Sequence, residues 1–372
     1  MLVAHPSPDL YGSDLQLLET VSGFVDRGWR TVVALPERGP LAPLLRERGA
    51  EVLLAPFPTV SRSLLRPRAF ARFAIETIRA WRGARQLLGV LKPKAVWVNT
   101  VTAPVWLVAA WSCRVPSVVH VHEAEEDGSR LVRTALTLPT ALARRAVVNS
   151  RAAARALVQV LPLLEPRLVL VYNGVPEPET EPLPRGRRDG VVHVALVGRL
   201  SPRKGTDIAL DAIALLRTSG VDVHLDLYGA VFPGYEWYEA DLRERAARAD
   251  LDGAVTFHGY VRPVWTSLAA ADIVVVPSRT EPFGNVAVEA QLAHRPVVVA
   301  AIQGLTEIVT DEVDGLHAEA GSAPALARAV RRIVENHELA DRLAGAGRAS
   351  AVERFSVSRY RAEVADVLAS LS

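Results

Sequence analysis

Six residues, Asp272 to Pro277 (DIVVVP), constrain the fold more than any other stretch of this 372-residue chain. A short run dominated by β-branched side chains suits a strand buried on both faces of a parallel sheet. A loop and then a helix are expected to follow it, because parallel strands are joined by crossovers. The next motif is EPFGNVAVEA, Glu281 to Ala290. Glu281 falls in the loop, Gly284 lets backbone come close to a ligand, and the helix from about Asn285 begins with amides that have no intrahelical partner. Glu289 lies about one turn further on. Carboxylates accept from sugar diols and amides donate to oxygens, so the set suits a polyhydroxylated, phosphate-bearing ligand at the carboxyl end of a strand. Alone, two glutamates at this spacing say little in a chain with 41 acidic residues.

A second motif has the same placement. Val191 to Val197 (VVHVALV) reads as a strand, followed by Gly198, Arg199, Leu200, Ser201, Pro202, Arg203, Lys204 and Gly205, with a helix from about Thr206. A glycine at a strand end, cations in a short loop and a helix N-terminus make an anion site by position and charge. Strand-then-helix cycles also fill the first half of the chain. LVAH (2–5) precedes the turn-rich PSPDLYGSD and a helix, with Gly12 placed in the loop as a candidate for backbone close to phosphate. TVVALPE, LAPLLRERG and EVLLAPF repeat the cycle, and Ala95 to Asn99 and Pro116 to His122 (PSVVHVH) are further strands. His120 and His122 share one face of the last of these, with three readings open: metal ligands, satisfied core histidines, or a site contact. Pro176 to Gly190, rich in proline and without apolar periodicity, is a linker.

Composition narrows the classes. With 49% hydrophobic and 23% charged residues the chain can bury two cores, and a formal charge of +2 gives no reason to expect a nucleic-acid partner. Cys113 has no internal partner, which fits a reducing compartment, and its apolar surroundings suit a small core residue. No basic n-region or long apolar segment follows Met1, so no signal peptide is expected. Ala95 to Cys113 is apolar but interrupted by Asn99, Thr100, Thr102 and Pro104, which favours a buried strand and helix over a membrane span. The stretch from Ser61 to Leu88 sets Arg62, Arg66, Arg68, Arg72, Arg79, Arg82 and Arg85 among Leu64, Leu65, Phe70, Phe73, Ile78 and Trp81. It reads either as a surface helix packed by its apolar stripe or as an in-plane contact with anionic lipid. The DxD of Asp250 and Asp252, with Gly253 next, reads as a turn rather than as a metal site.

GRL-x3-KG at 198–205 and EPFG-x4-EA at 281–290, each behind a strand, closely resemble the signatures of the retaining glycosyltransferases of family 4. The resemblance implies an α/β architecture of the GT-B type, two facing Rossmann-like, doubly wound domains with a cleft between them. Its expected boundaries are residues 1–175, a linker at 176–190, a donor domain at 191–354, and a helix at 355–372 returning to the first domain. It implies that Arg199 and Lys204, with Gly198, bind the donor's diphosphate, with Gly12 contributing from the other domain. Glu281 would meet hydroxyls of the transferred sugar, Phe283, Gly284 and Asn285 would offer amides, and Glu289 would hold the ribose. His122, followed by Glu123, would contact the sugar, leaving His120 structural. Gly229, His258 and Tyr260 would lie near base and ribose. Where the family has paired glycines, AAIQGLTE carries Gln303 in place of the first.

The expected reaction is transfer of a hexose-type unit, with retention, from a nucleoside diphosphate sugar to a glycan, lipid-linked or small-molecule acceptor. A UDP-sugar is the favoured donor. No cofactor and no metal are expected, because cations rather than carboxylates occupy the phosphate loop. A cytoplasmic location is expected, with peripheral contact at an anionic membrane as its extension. Three rivals stand beside this reading: a sugar-nucleotide epimerase on the same scaffold, a non-catalytic sugar-nucleotide binder, and a metal hydrolase using His120 and His122 with His193, His224 or His258.

Overall fold

The computed structural model describes residues 1–60, 67–122, 130–184, 190–232 and 234–371. They divide into two compact units, Met1–Gly174 with Val357–Ser372, and Val175–Ser356.

In the first unit the apolar runs form β1 (Leu2–Ala4), β2 (Val32–Leu35), β3 (Glu51–Leu54), β4 (Val96–Val98), β5 (Ser117–Val121), β6 (Arg145–Val148) and β7 (Leu168–Leu170). Every pairing is parallel, in the order β3-β2-β1-β4-β5-β6-β7. Helices cover both faces, so the sheet carries a core on each side. One core joins Val96, Val98 and Val119 to Trp106, Ala84 and Leu88, and the other joins Val3, Val33 and Trp97 to Leu17, Val21 and Phe24. The helix Gly12–Asp26 begins earlier than its apolar periodicity suggests, because Asp14 Oδ2 accepts from the Tyr11 amide at 2.8 Å and closes the first turn. Gly12 is therefore an exposed helical residue and not, as expected, a loop residue.

The last helix, Val357–Ala369, completes the second core of this unit. Its Tyr360, fully buried, shares a hydrogen bond of 2.6 Å with Thr20 Oγ1 on Gly12–Asp26. Arg361 pairs with the buried Glu19 at 2.6 Å on the same seam, and at Gly23 the two backbones run close enough that a Cβ would meet Arg361 main chain at 2.7 Å. Phe355 and Ser356, assigned from sequence to this helix, group with the second unit.

The second unit holds β8 (Val192–Val197), β9 (Val223–Tyr228), β10 (Val255–Gly259), β11 (Ile273–Val276), β12 (Val297–Ala300) and β13 (Leu316–Ala318). All pairings are parallel in the order β10-β9-β8-β11-β12-β13. Strand order reverses between β8 and β11, and in open α/β sheets that is where ligands bind, outside the carboxyl ends of the strands. The two motifs found in the sequence follow β8 and β11. Both units are Rossmann-like. Among the described residues no helix is long and apolar enough to cross a membrane, and the Ala95–Cys113 run is β4 followed by the helix Pro104–Ser112.

Candidate active site

After β8 the chain makes a 3-10 turn, Pro202–Lys204, and enters the helix Thr206–Thr218 through Gly205. Gly205 is required twice over. Its φ is +69°, and a Cβ would overlap the carbonyl oxygen of Pro277, at the end of β11. That approach brings the two motif loops together. Arg279 fastens them, donating to the Pro202 carbonyl at 2.7 Å and gripping Asp207 with both terminal nitrogens at 2.8 and 2.6 Å, while its amide donates to Arg203 O at 2.8 Å. Tyr238 donates to the same Asp207 carboxylate at 2.8 Å.

With the loops so placed, Lys204 Nζ donates to Glu281 Oε2. Ser278 Oγ, fully buried, donates to the same oxygen at 3.3 Å. The helix Asn285–Leu292 starts at Gly284, whose φ of +114° sets the turn, and a Cβ there would lie 2.5 Å from Leu305 Cδ2. Phe283 is buried with its ring 5.7 Å from that of Phe355, so the motif's aromatic residue anchors the loop. Arg199 stands at the end of β8 with its guanidinium over the Phe232 ring, 3.1 Å from the centroid. Gly198 bonds the Tyr228 carbonyl at 2.9 Å, tying this loop to β9.

Glu289 retains some exposed area, yet protein surrounds its carboxyl closely enough that loss of hydration pushes it up to about 7, against the pull of Lys204 and Arg262. The structure therefore gathers Lys204, Glu281, Phe283, Gly284 and Asn285 at the switch point, with Glu289 one turn along the helix.

In the first unit, the ends of β1, β4 and β5 bring together a buried polar chain. As a carboxylate Asp14 only accepts, so His5 Nε2 donates to it at 2.8 Å and His5 Nδ1 accepts from Asn99 Nδ2 at 3.1 Å. Asn99 Oδ1 then faces His120 Nδ1 and His122 Nε2, each at 3.2 Å, and Trp97 Nε1 at 3.3 Å. Burial holds the His120 imidazole well below its usual value, helped by His122; burial and then His5 hold His122 down to about 3, against Asp14. Both rings are thus neutral donors to one amide oxygen. His5, Asp14 and Asn99 went unassigned in the sequence, although each sits at a strand end or helix start beside the switch point between β1 and β4. Glu123 lies outside the described residues.

The histidines of the second unit are engaged elsewhere. His193 Nδ1 and His258 Nε2 bond the two oxygens of Asp226 at 2.8 and 2.7 Å, and His224 Nε2 bonds Thr256 Oγ1 at 2.8 Å. Among the described residues no group of three or more His, Cys, Asp or Glu is arranged to hold a metal ion. Asp250 of the DxD is paired with Arg245 at 3.0 Å, in a turn.

Comparison with known proteins agrees with this architecture. Residues 12–177 match the model of glycosyltransferase family 4 and residues 183–350 that of glycosyl transferases group 1. A D-inositol 3-phosphate glycosyltransferase of Nocardioides is 34% identical over 244 residues, 59% of this chain and 52% of the relative, so the match spans about half of that protein. The protein of the same name from Streptomyces coelicolor is 26% identical over 375 residues, covering 91% of this chain and 80% of its own. Among solved structures, Anabaena HepE in complex with UDP and glucose superposes with a TM-score of 0.82 at 25% identity over 99% of both chains. Fold and motifs define the class, a glycosyltransferase of the GT-B type with two Rossmann-like domains. The chain belongs to the group 1, family 4 glycosyltransferases.

The Glu289 carboxyl makes a prediction independent of any substrate. Its native value near 7 lies above the ordinary range of an unfolded glutamate, so the native state holds the proton more tightly. The stability it contributes is complete below the unfolded value and is lost as pH rises through about 7. Glu289→Gln stays neutral, so between about pH 5 and 7.5 thermal denaturation should show wild type losing stability relative to the variant. Parallel curves would contradict the assignment.

Proposed function

We propose that the chain transfers a hexose-type unit from a UDP-sugar to a hydroxyl acceptor with retention at the anomeric carbon. The observation that carries this reading is the contact of Lys204 with Glu281 at the switch point of the second sheet, where a cation for phosphate and an acceptor for sugar hydroxyls stand side by side. HepE, solved with UDP, with UDP-glucose, and with UDP and glucose, matches along nearly its full length and supports the choice of a UDP-sugar.

In this proposal Arg199 and Lys204, with the N-terminal dipole of Thr206–Thr218, hold the diphosphate, and amides from Phe283 to Asn285 and the Glu281 carboxylate bind the sugar. Glu289 takes the ribose hydroxyls. The bond between the anomeric carbon and the diphosphate oxygen breaks, the acceptor oxygen bonds to that carbon on the same face, and the acceptor proton passes to the departing phosphate oxygen. Negative charge grows on the diphosphate as it leaves, so the cations act on the transition state more than on the bound donor. No divalent metal is needed in this scheme. His122 is proposed to contribute to rate, and Gly12 to phosphate contact.

UDP release from UDP-sugars tests the scheme. Arg199→Ala and Lys204→Ala should each cost at least about 2 kcal/mol of transition-state stabilisation, by analogy with loss of an oxyanion donor. Glu281→Ala should lower turnover with little loss of UDP affinity, Glu289→Ala should weaken both, and activity should persist in EDTA. Turnover abolished by chelation and restored by Mg²⁺ or Mn²⁺ would overturn the cationic-loop scheme. Isomerised UDP-sugar as product would favour the epimerase reading, and affinity without turnover the binding protein.

The acceptor in this proposal is a glycan, a lipid-linked sugar or a small molecule, met with peripheral contact at an anionic membrane. One observation favours the membrane. In the helix Pro67–Leu91, Ala84 and Leu88 are buried, whereas Ile75 and Ile78 are each 52% exposed and share the solvent side with Arg79, Arg82 and Arg85. Arg62, Leu64, Leu65 and Arg66 lie outside the described residues, as do the side chains of Arg68, Phe70 and Arg72. Each basic residue near an anionic surface contributes on the order of 1 kcal/mol. Co-sedimentation with liposomes should require anionic lipid, fall with salt, and weaken in an Ile75→Ser, Ile78→Ser double variant; equal binding to neutral liposomes would dispose of it.

A further inference from the structure

Residue 303 departs from the paired-glycine pattern of the family, and its backbone shows what the departure costs. Gln303 has a φ of +39°, in the left-handed region that a side chain disfavours. A glycine would occupy that conformation without strain. Strain of this kind persists only where the surroundings over-determine it, and it gathers at functional sites.

The side chain explains the substitution. Gln303 Oε1 accepts from the backbone amide of Glu281 at 2.8 Å, across 22 positions of sequence. The neighbouring Gly304 amide donates to the Glu281 carbonyl at 3.1 Å. Adjacent residues in the loop after β12 thus hold the amide and the carbonyl of Glu281 from one side, while Lys204 and Ser278 hold its carboxylate from the other. The backbone contacts restrain the Glu281 main chain, and the two carboxylate partners restrain its side-chain torsions. A glycine at 303 could supply the turn but not the acceptor.

We infer that Gln303 is a positioning residue, fixing the Glu281 backbone so that its carboxylate meets the donor sugar; this rests on the reading of Glu281 as a sugar contact. Gln303 acts through Glu281, and a misplacement of about 1 Å at such a contact costs on the order of 100-fold in rate.

Three substitutions separate this role from packing. Gln303→Met keeps the length and removes the acceptor, Gln303→Glu keeps an acceptor at the same reach, and Gln303→Gly removes both the acceptor and the backbone strain. The assay is UDP release from the UDP-sugar that most raises the wild-type melting temperature, with the affinity for UDP measured separately. Gln303→Met and Gln303→Gly should lose at least about tenfold in kcat while UDP affinity stays within about threefold. Gln303→Gly should melt no lower than wild type despite its lost rate, and Gln303→Glu should recover most of the rate. Wild-type kcat in Gln303→Met, or a Gln303→Glu variant as slow as Gln303→Met, would overturn the inference. Glu281→Ala in the same assay keeps the two readings apart. If it turns over like wild type, the assignment of Glu281 to the sugar fails; if it is impaired while Gln303→Met is not, the positioning role alone fails.

Discussion

The candidate site of the second unit is built on an ammonium and a carboxylate held together largely out of solvent. The side chains of Lys204 and Glu281 are only 19% and 9% exposed, so each has given up much of its hydration. Such a pair offsets its desolvation only with good geometry and further hydrogen bonds. The surroundings supply both: Gly205 against the Pro277 carbonyl, Arg279 bridging the two loops, and Ser278 completing the carboxylate's contacts. The Arg279–Asp207 pair that ties the loops is about two-fifths exposed and adds little stability by itself. Its contribution is placement, which matters for a site whose charges must already be in position when the leaving group develops its own.

The first unit buries a related polar cluster with a neutral amide at its hub and the Asp14 carboxylate at one end. Asn99, fully buried, links His5 to His120 and His122, and the direction of each hydrogen bond follows from the acceptor-only character of Asp14. His120 Nε2 is the exception, buried with no partner among the described residues. Protonating either imidazole would put a cation into this cluster, and burial keeps both rings neutral in the physiological range. The helix Val357–Ala369 packs beside this cluster through Tyr360, whose ring lies 6.5 Å from that of His120. The end of the chain therefore supports residues at its beginning.

Much of this was legible in the sequence because parallel strands buried on both faces announce themselves as short apolar runs. DIVVVP, VVHVALV and PSVVHVH each became a strand, and the loops after the first two carry the residues assigned to the donor. Less legible were features that depend on a distant partner. Asp14 looks like an ordinary helix-start acid until His5 is placed beside it by the sheet. Asn99 reads as an interruption in an apolar run, and only the β1-β4-β5 order makes it the hub of three histidines. Gln303 was visible as a departure, but nothing local indicates that its side chain reaches Glu281. The first helix begins at Gly12, ahead of the apolar periodicity that starts at Leu15, because the Asp14 side chain inside its first turn accepts from the Tyr11 amide at the cap.

In the proposed reaction the contact between Lys204 and Glu281 marks where a nucleoside diphosphate sugar binds. A crystal structure of the protein soaked with a non-hydrolysable UDP-sugar analogue tests this most directly. Diphosphate oxygens are expected within hydrogen-bond distance of Lys204 Nζ and Arg199, and a sugar hydroxyl within that distance of a Glu281 carboxylate oxygen. Density for the analogue away from the carboxyl ends of β8 and β11, with Lys204 and Glu281 untouched, would contradict it.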